Sequence, residues 1–348
     1  MKAVVLVGGE GTRLRPLTLH TPKQLLRVVG FPMLERVLSA LHSYGVDEAV
    51  LSLGYQPEAF LAAYPDGVAS GVRLRYAVEE RPLDTAGAIR FAAETAGIDS
   101  TFVVVNGDIL TDLDVQELVA FHGDHGAEAT IGLVRVEDPS NFGVVEVDES
   151  GRALRFVEKP KQGLAPSNEI NAGVYVLDPS VLDRIAFGEP MSIERELFPK
   201  LVAEGRLYAK ASTCYWLDAG TPRTFRRAAL DILFGRRRRQ LLPLEGAIVE
   251  PFGGGSRCYV GREAALDTGA VLGGSVIEDG VEVGPGAMIE HSIVLEGARI
   301  GPGASIVDSI VGAGTVVPEN VSLTELSVVA RSTPLEPGAA FVGSARTR

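Results

Sequence analysis

Ala3-Val4-Val5-Leu6-Val7 runs directly into Gly8-Gly9-Glu10-Gly11-Thr12-Arg13-Leu14-Arg15-Pro16-Leu17-Thr18, followed by Thr21-Pro22-Lys23-Gln24-Leu25-Leu26. The apolar run reads as a buried strand. The glycines at 8, 9 and 11 carry no Cβ to hold a backbone off an anion, so successive amide N–H groups can converge on phosphate oxygens. Arg13 and Lys23 supply the countercharge. The spacing fits neither the P-loop nor the dinucleotide fingerprint of the Rossmann type. A strand that ends in an anion cradle of a third kind opens an α/β domain.

Working outward, β-branched runs (Ala49 to Leu53, Phe102 to Val105, Thr130 to Val136, Gly173 to Leu177) alternate up to about residue 235 with amphipathic stretches such as Leu34 to Leu41 and Val115 to Phe121. That alternation predicts a mostly parallel sheet covered by helices, with ligands at the carboxyl ends of the strands. The Gly8 to Leu14 loop and the Asn106-Gly107-Asp108 turn both fall there. Arg236-Arg237-Arg238-Arg239 and a stretch rich in Pro and Gly then mark a boundary, the arginines reading as a solvated helix terminus.

From Val260 the chain repeats. Aliphatic residues fall at Val260, Leu266, Leu272, Ile277, Val283, Ile289, Val294, Ile300, Ile306, Val311, Val317 and Leu323, in steps of 6, 6 and 5, so equivalent positions are 17 apart. Three short strands per coil, turning at Gly284-Pro285-Gly286 and Gly301-Pro302-Gly303, stack into a triangular solenoid. It resembles the left-handed parallel β-helix of hexapeptide repeats. The segment after Thr324 leaves the pattern and is expected to cap the end or pack elsewhere. The predicted domains are 1–235, a linker 236–257, and a β-helix with tail over 258–348.

The net charge of -12 over 348 residues argues against nucleic acid or an anionic membrane as partner. Cys214 and Cys258 are far apart and outside any Cys-x-x-Cys spacing, which predicts free thiols rather than a disulfide or zinc site. No apolar stretch approaches ~18 residues and a strand begins by residue 3, so neither a membrane span nor a signal peptide is expected, and the protein is placed in the cytoplasm.

The ordered pattern Gly-Gly-x-Gly-Thr-Arg-Leu-x-Pro-Leu-Thr with a following Pro-Lys resembles the signature of sugar-1-phosphate nucleotidylyltransferases, which join an NTP to a sugar 1-phosphate and release pyrophosphate. The likeness covers essentially the whole chain and is nearest to the guanylyltransferases, which also carry a C-terminal β-helix. It implies GTP and mannose 1-phosphate as substrates and GDP-mannose as product. Alternatives are a glucose 1-phosphate enzyme using dTTP, UTP or another NTP, a non-catalytic subunit that binds nucleotide sugars, and, from the β-helix and His291, an acyltransferase. The resemblance assigns Gly8, Gly9, Gly11, Thr12 and Arg13 to the nucleotide, with Arg13 on the β and γ phosphates. Lys23 would lie along the α-phosphate and the sugar phosphate. Asp108 and Asp218 would bind the catalytic Mg²⁺, although either alone is an ordinary turn residue bonding its own backbone. Asn141 to Val145, Phe156 to Pro160 and Ile170 to Tyr175 resemble the hexose-binding segments, giving Gly143, Glu158, Lys159 and Asn171. Val78 to Ala88 resembles the base-binding loop with Gly87, but carries Asp84 where glycine is common. Glu79 or Glu80 there suits guanine, whose N1–H and amino group both donate. The β-helix is expected to pair subunits in a homo-oligomer.

Overall fold

In the computed structural model, which describes residues 1–237, 241–243, 246–249 and 256–343, Lys2–Leu6 is the central strand of the N-terminal sheet. Ala3, Val4 and Val5 are fully buried, as a parallel strand covered on both faces requires. Lys2–Leu6 lies between Glu48–Leu53 and Phe102–Asn106, parallel to both, and Glu48–Leu53 runs parallel to Val72–Val78. The helix Asp84–Thr95 lays Ala86, Ile89, Ala92 and Ala93 on Val4, Val50 and Ala77. Its small side chains let helix and sheet approach closely. On the other side of the centre the sheet is mixed. Glu169–Leu177 runs antiparallel to Phe102–Asn106 and to Ala129–Arg135, while Leu207–Ser212 is parallel to the latter. Gly143–Val147 and Ala153–Glu158 form an antiparallel hairpin at the edge.

The chain forms two compact units, Met1–Gly9 with Val37–Trp216, and Glu10–Arg36 with Leu217–Arg348. Glu10–Arg36 belongs to the second unit because its short hairpin, Arg27–Val28 against Phe31–Pro32, docks on the solenoid. The Gly30 N–H donates to the Glu278 carboxylate at 3.0 and 3.1 Å, and Arg27 reaches Glu278 at 3.3 Å and Asp279 at 3.0 Å. A Cβ on Gly30 would sit 2.6 Å from the Tyr259 hydroxyl, so only glycine allows that approach. Burial in this joint pushes Glu278 up to about 7, against the pull of the Gly30 N–H and the Arg27 charge.

The solenoid has the expected ladder. Val260, Ile277, Val294 and Val311 stack in one parallel sheet, Leu266, Val283, Ile300 and Val317 in the second, and Leu272, Ile289, Ile306 and Leu323 in the third. Each fully buried aliphatic side chain contributes roughly 1.5–3 kcal/mol, and Ser275, Ser292 and Ser309 form a buried column in which the Ser275 hydroxyl accepts the Ser292 N–H and the Ser292 hydroxyl the Ser309 N–H. The segment after Thr324 leaves the 17-residue spacing, as expected, but adds a strand to two of the three faces. Val328–Val329 pairs with Ile310–Val311, and Ala340–Val342 with Ser322–Thr324. The coil continues with a step of 18, hidden from the periodicity by one added corner residue: Glu325 and Leu326 are both left-handed, at φ 52° and 65°.

The arginine run also differs from expectation. Arg236 is exposed and pairs with Asp231 at 3.1 Å, but Arg237 is buried; Arg238 and Arg239 lie outside the described residues. Both cysteines are free thiols. Among the described residues no helix is long and apolar enough to cross a membrane.

Candidate active site

In the first unit the parallel strands deliver four loops to one edge. Leu6 is in register with Asn106 and with Ser52, and the Gly107 N–H donates to the Leu6 carbonyl at 3.0 Å. Gly8 and Gly9, Gly54, Glu79 and Asp108 therefore follow the carboxyl ends of neighbouring strands. Gly8 is closely approached: a Cβ there would lie 3.3 Å from the Gly54 nitrogen, a tight contact, and 3.8 Å from Glu79 Oε1. Glu79 braces the next loop, Oε1 accepting the Ser52 hydroxyl at 2.7 Å and Oε2 the Leu83 N–H at 3.0 Å. Glu80 is exposed. Asp84 explains its departure from glycine. Its backbone is left-handed at φ 55°, a conformation Asp tolerates better than most residues, and its carboxylate accepts the Thr85 N–H at 2.7 Å. Gly87 is buried, and a Cβ would meet the Glu189 carbonyl at 2.5 Å; the structure gives it a packing role between helix and loop.

The hexose-type residues also gather in this unit. Gly143 is paired with Glu158, and a Cβ there would lie 2.6 Å from Phe156 and 3.0 Å from Glu158 Oε2. Lys159, left-handed at φ 47°, holds its ammonium 3.3 Å from Glu158. Asn171 sits where the register of Glu169–Leu177 slips, its side chain donating to the Tyr175 hydroxyl and accepting the Gly173 N–H, both at 2.8 Å. That leaves one amide N–H and one lone pair for a ligand. The bulge is pinned by Trp216, whose indole N–H donates to the Ala172 carbonyl at 2.9 Å while its ring meets Phe142 edge-on at 5.4 Å. Sequence reasoning missed Glu194. It takes hydrogen bonds from Thr85 at 2.7 Å and Ser192 at 3.1 Å, and burial, reinforced by Glu158, raises its carboxyl above the usual range. Ser192-Ile193-Glu194 reads only as a helix start, so no local signal marked it.

In the second unit, Gly11 turns left-handed at φ 64° and folds the loop onto Thr18, whose hydroxyl donates to the Gly11 carbonyl at 2.8 Å. A Cβ at Gly11 would meet Thr18 at 3.1 Å and Lys23 at 3.2 Å. Thr12 and Arg13 are exposed in the short helical turn Thr12–Leu14. Arg13 comes within 4.0 Å of Asp218 Oδ2, while Oδ1 accepts the Gly220 N–H at 2.7 Å. Gly220 leaves room for both: a Cβ would be 2.7 Å from Asp218 Oδ1 and 2.8 Å from Arg13. A permanent cation and a carboxylate thus share one corner beside a glycine turn. Among the described residues no three His, Cys, Asp or Glu side chains gather to hold a metal alone. The Asp218 carboxylate is a hard oxygen donor, of the kind a divalent cation takes when phosphate oxygens and water complete its shell.

The family model described as nucleotidyl transferase matches residues 2–234, and one described as GMPPB C-terminal domain matches 255–343. A mannose-1-phosphate guanylyltransferase of Mycobacterium tuberculosis is 44% identical over 295 residues, covering 81% of this chain and 80% of the relative. A probable mannose-1-phosphate guanylyltransferase of Oryza sativa subsp. japonica is 40% identical, covering 81% and 80%. Among solved structures, HddC from Yersinia pseudotuberculosis, seen also complexed with GMP-PN, superposes with a TM-score of 0.58 at 28% identity, covering 66% of this chain and 99% of that one.

Proposed function

Because the chain belongs to the nucleotidyl transferase family, we propose that it is the enzyme joining GTP to mannose 1-phosphate, with GDP-mannose and pyrophosphate as products. What carries the reading is the likeness to mannose-1-phosphate guanylyltransferases across four fifths of both chains. An oxygen of the sugar phosphate attacks the α-phosphorus, and the bond to the β-phosphate oxygen breaks as pyrophosphate leaves with its electron pair. The nucleophile is already ionised, so no general base is needed and the protein's work is alignment and charge neutralisation.

In this proposal Gly8, Gly9, Gly11 and Thr12 present backbone to the triphosphate, and Arg13 neutralises the leaving pyrophosphate. Lys23 and Lys159 meet the sugar phosphate. Glu158 and Asn171 bond hexose hydroxyls over the bare backbone of Gly143, and Glu79 or Glu80 accepts from the guanine edge. The family generally uses a divalent metal; here it would be Mg²⁺, held by Asp108 and Asp218, and it supplies charge neutralisation at the phosphates when bound. A homo-oligomer in the cytoplasm completes the proposal, with exposed apolar residues such as Val316 on the solenoid as the place where subunit contact is tested.

Pyrophosphate release measured across a matrix of NTPs and hexose 1-phosphates tests the substrates. GTP with mannose 1-phosphate is expected to turn over fastest; dTTP or UTP with glucose 1-phosphate as the best pair would replace it with the thymidylyl or uridylyl reading. Light scattering of the wild type and of Val316→Glu tests the assembly, which a monomer at every concentration would sink.

A further inference from the structure

The three corners of the solenoid differ in a way the repeat does not require. Left-handed backbone recurs every 17 residues at each corner. One corner uses Glu263, Gly280, Gly297 and Gly314, another Gly269, Gly286, Gly303 and Asn320, but the third uses Gly274, His291, Asp308 and Glu325. Glycine is the cheap residue for this conformation. A column of His, Asp and Glu at successive coils places side chains where two sister corners have almost none.

That column faces the helix Pro222–Leu233. Arg223, Arg226 and Arg227 fall on one helix face by their spacing of three and four. Arg226 is half-buried and meets Asp308 at 2.5 Å. Arg227 and Arg236 are tethered from behind by the buried Asp231, at 3.3 and 3.1 Å. Arg223 has no carboxylate in ion-pair range among the described residues, and its charge works against that of Arg226. A cavity of about 490 Å³ opens between the four arginines, Asp308 and Glu325, and a second of about 510 Å³ shares Arg226, Leu230, Arg236 and Asp308 with it and extends to Phe234 and His291. Four arginines against Asp308 and Glu325 in the lining and Asp231 behind them leave the first cavity with one positive charge in excess, in a chain of net charge -12. Holding arginines together at such cost is what anion sites do.

We propose that this cavity binds a small metabolite bearing two or more phosphate charges. Its phosphates take the forks of Arg223 and Arg227 and compete with Asp308 for Arg226, while its organic part lies on Leu230 and Phe234. None of these residues is among those assigned to the nucleotide or the sugar, so the proposal does not rest on the substrate reading.

Calorimetric titration of the full chain with inorganic pyrophosphate, with GDP and with a hexose bisphosphate forms three arms that separate a bare anion, a nucleotide and a sugar source. The double variant Arg223→Ser/Arg227→Ser is expected to weaken one binding event in at least one arm by about tenfold or more, given the strength of charge-assisted contacts, with turnover in the absence of added ligand unchanged. Both arginines are exposed, so the fold should survive, as thermal melting would show. Asp308→Asn is expected to tighten the same event by freeing Arg226; a purely structural ion pair would only lower the melting temperature. Isotherms indistinguishable among wild type and both variants in all three arms overturn the proposal. So does silence in all three arms with arginine-dependent binding of a single-stranded oligonucleotide.

Discussion

Glu278→Gln should change how stability depends on pH rather than simply lower it. The carboxyl is fully buried in the joint between Gly30 and the solenoid, facing Arg27, Asp279, Glu296 and Tyr259. Burial moves it from 4.5 to about 7 in the folded state. The folded form therefore keeps a proton that the unfolded chain releases. This stabilisation is complete below the unfolded value and is lost as pH rises through the folded one. A rise of that size corresponds to about 3 kcal/mol between the acid and alkaline limits, at roughly 1.4 kcal/mol per unit. Gln imitates the protonated acid: it has the same shape, is neutral, and can accept the Gly30 N–H. Urea unfolding followed by circular dichroism from about pH 5 to about pH 8 is expected to show the variant near wild type at the acid end and gaining on it by up to about 3 kcal/mol at the alkaline end. Amide exchange at Gly30 should slow correspondingly in the variant at the alkaline end. Two stability curves running parallel across the whole range would refute the reasoning, because they would mean that the Arg27 and Gly30 contacts fully offset the burial of the charge.

Asp108→Asn is expected to cut turnover on the order of 10²–10³, as losing a preorganised charge partner does elsewhere, with the melting temperature held; near-normal activity that still needs a divalent ion would remove Asp108 from the metal. Gly220→Ala should reduce kcat/KM by about tenfold or more, since small misplacements of a positioning cation are costly, because its Cβ would stand 2.8 Å from Arg13 and 2.7 Å from Asp218; steady-state kinetics with unchanged circular dichroism is the check, and normal kinetics would mean that the corner is not used. Ile306→Ala, at a fully buried solenoid rung, should cost roughly 2–5 kcal/mol, read as a shifted urea midpoint, and a loss below about 1 kcal/mol would mean that the coils close over the gap.

Much of the architecture was legible because its causes are local. A buried strand needs consecutive apolar residues, a phosphate cradle needs glycines beside fixed cations, and a triangular solenoid needs one aliphatic residue per side in steps of 6, 6 and 5. Each condition lies within a few residues along the chain. The same locality stopped short at the fifth coil, where one added residue at Glu325-Leu326 broke the spacing although the strands continue. It was silent on Glu194, which accepts a hydrogen bond from Thr85 more than a hundred residues away, and on Trp216, which pins a bulge more than forty residues away in sequence.

By itself, then, the sequence determined the strand-and-loop grammar of the nucleotide half, the solenoid ladder, and the family to which both belong. Tertiary structure alone decided that the glycine loop from Glu10 onward shares a unit with the solenoid, since Arg27 and Glu278 are 251 residues apart. It also decided that a column of His291, Asp308 and Glu325 meets an arginine face. The physical reason is range: backbone preference and hydrophobic period act between neighbours in the chain, whereas burial and charge pairing act between neighbours in space, which only the folded chain defines.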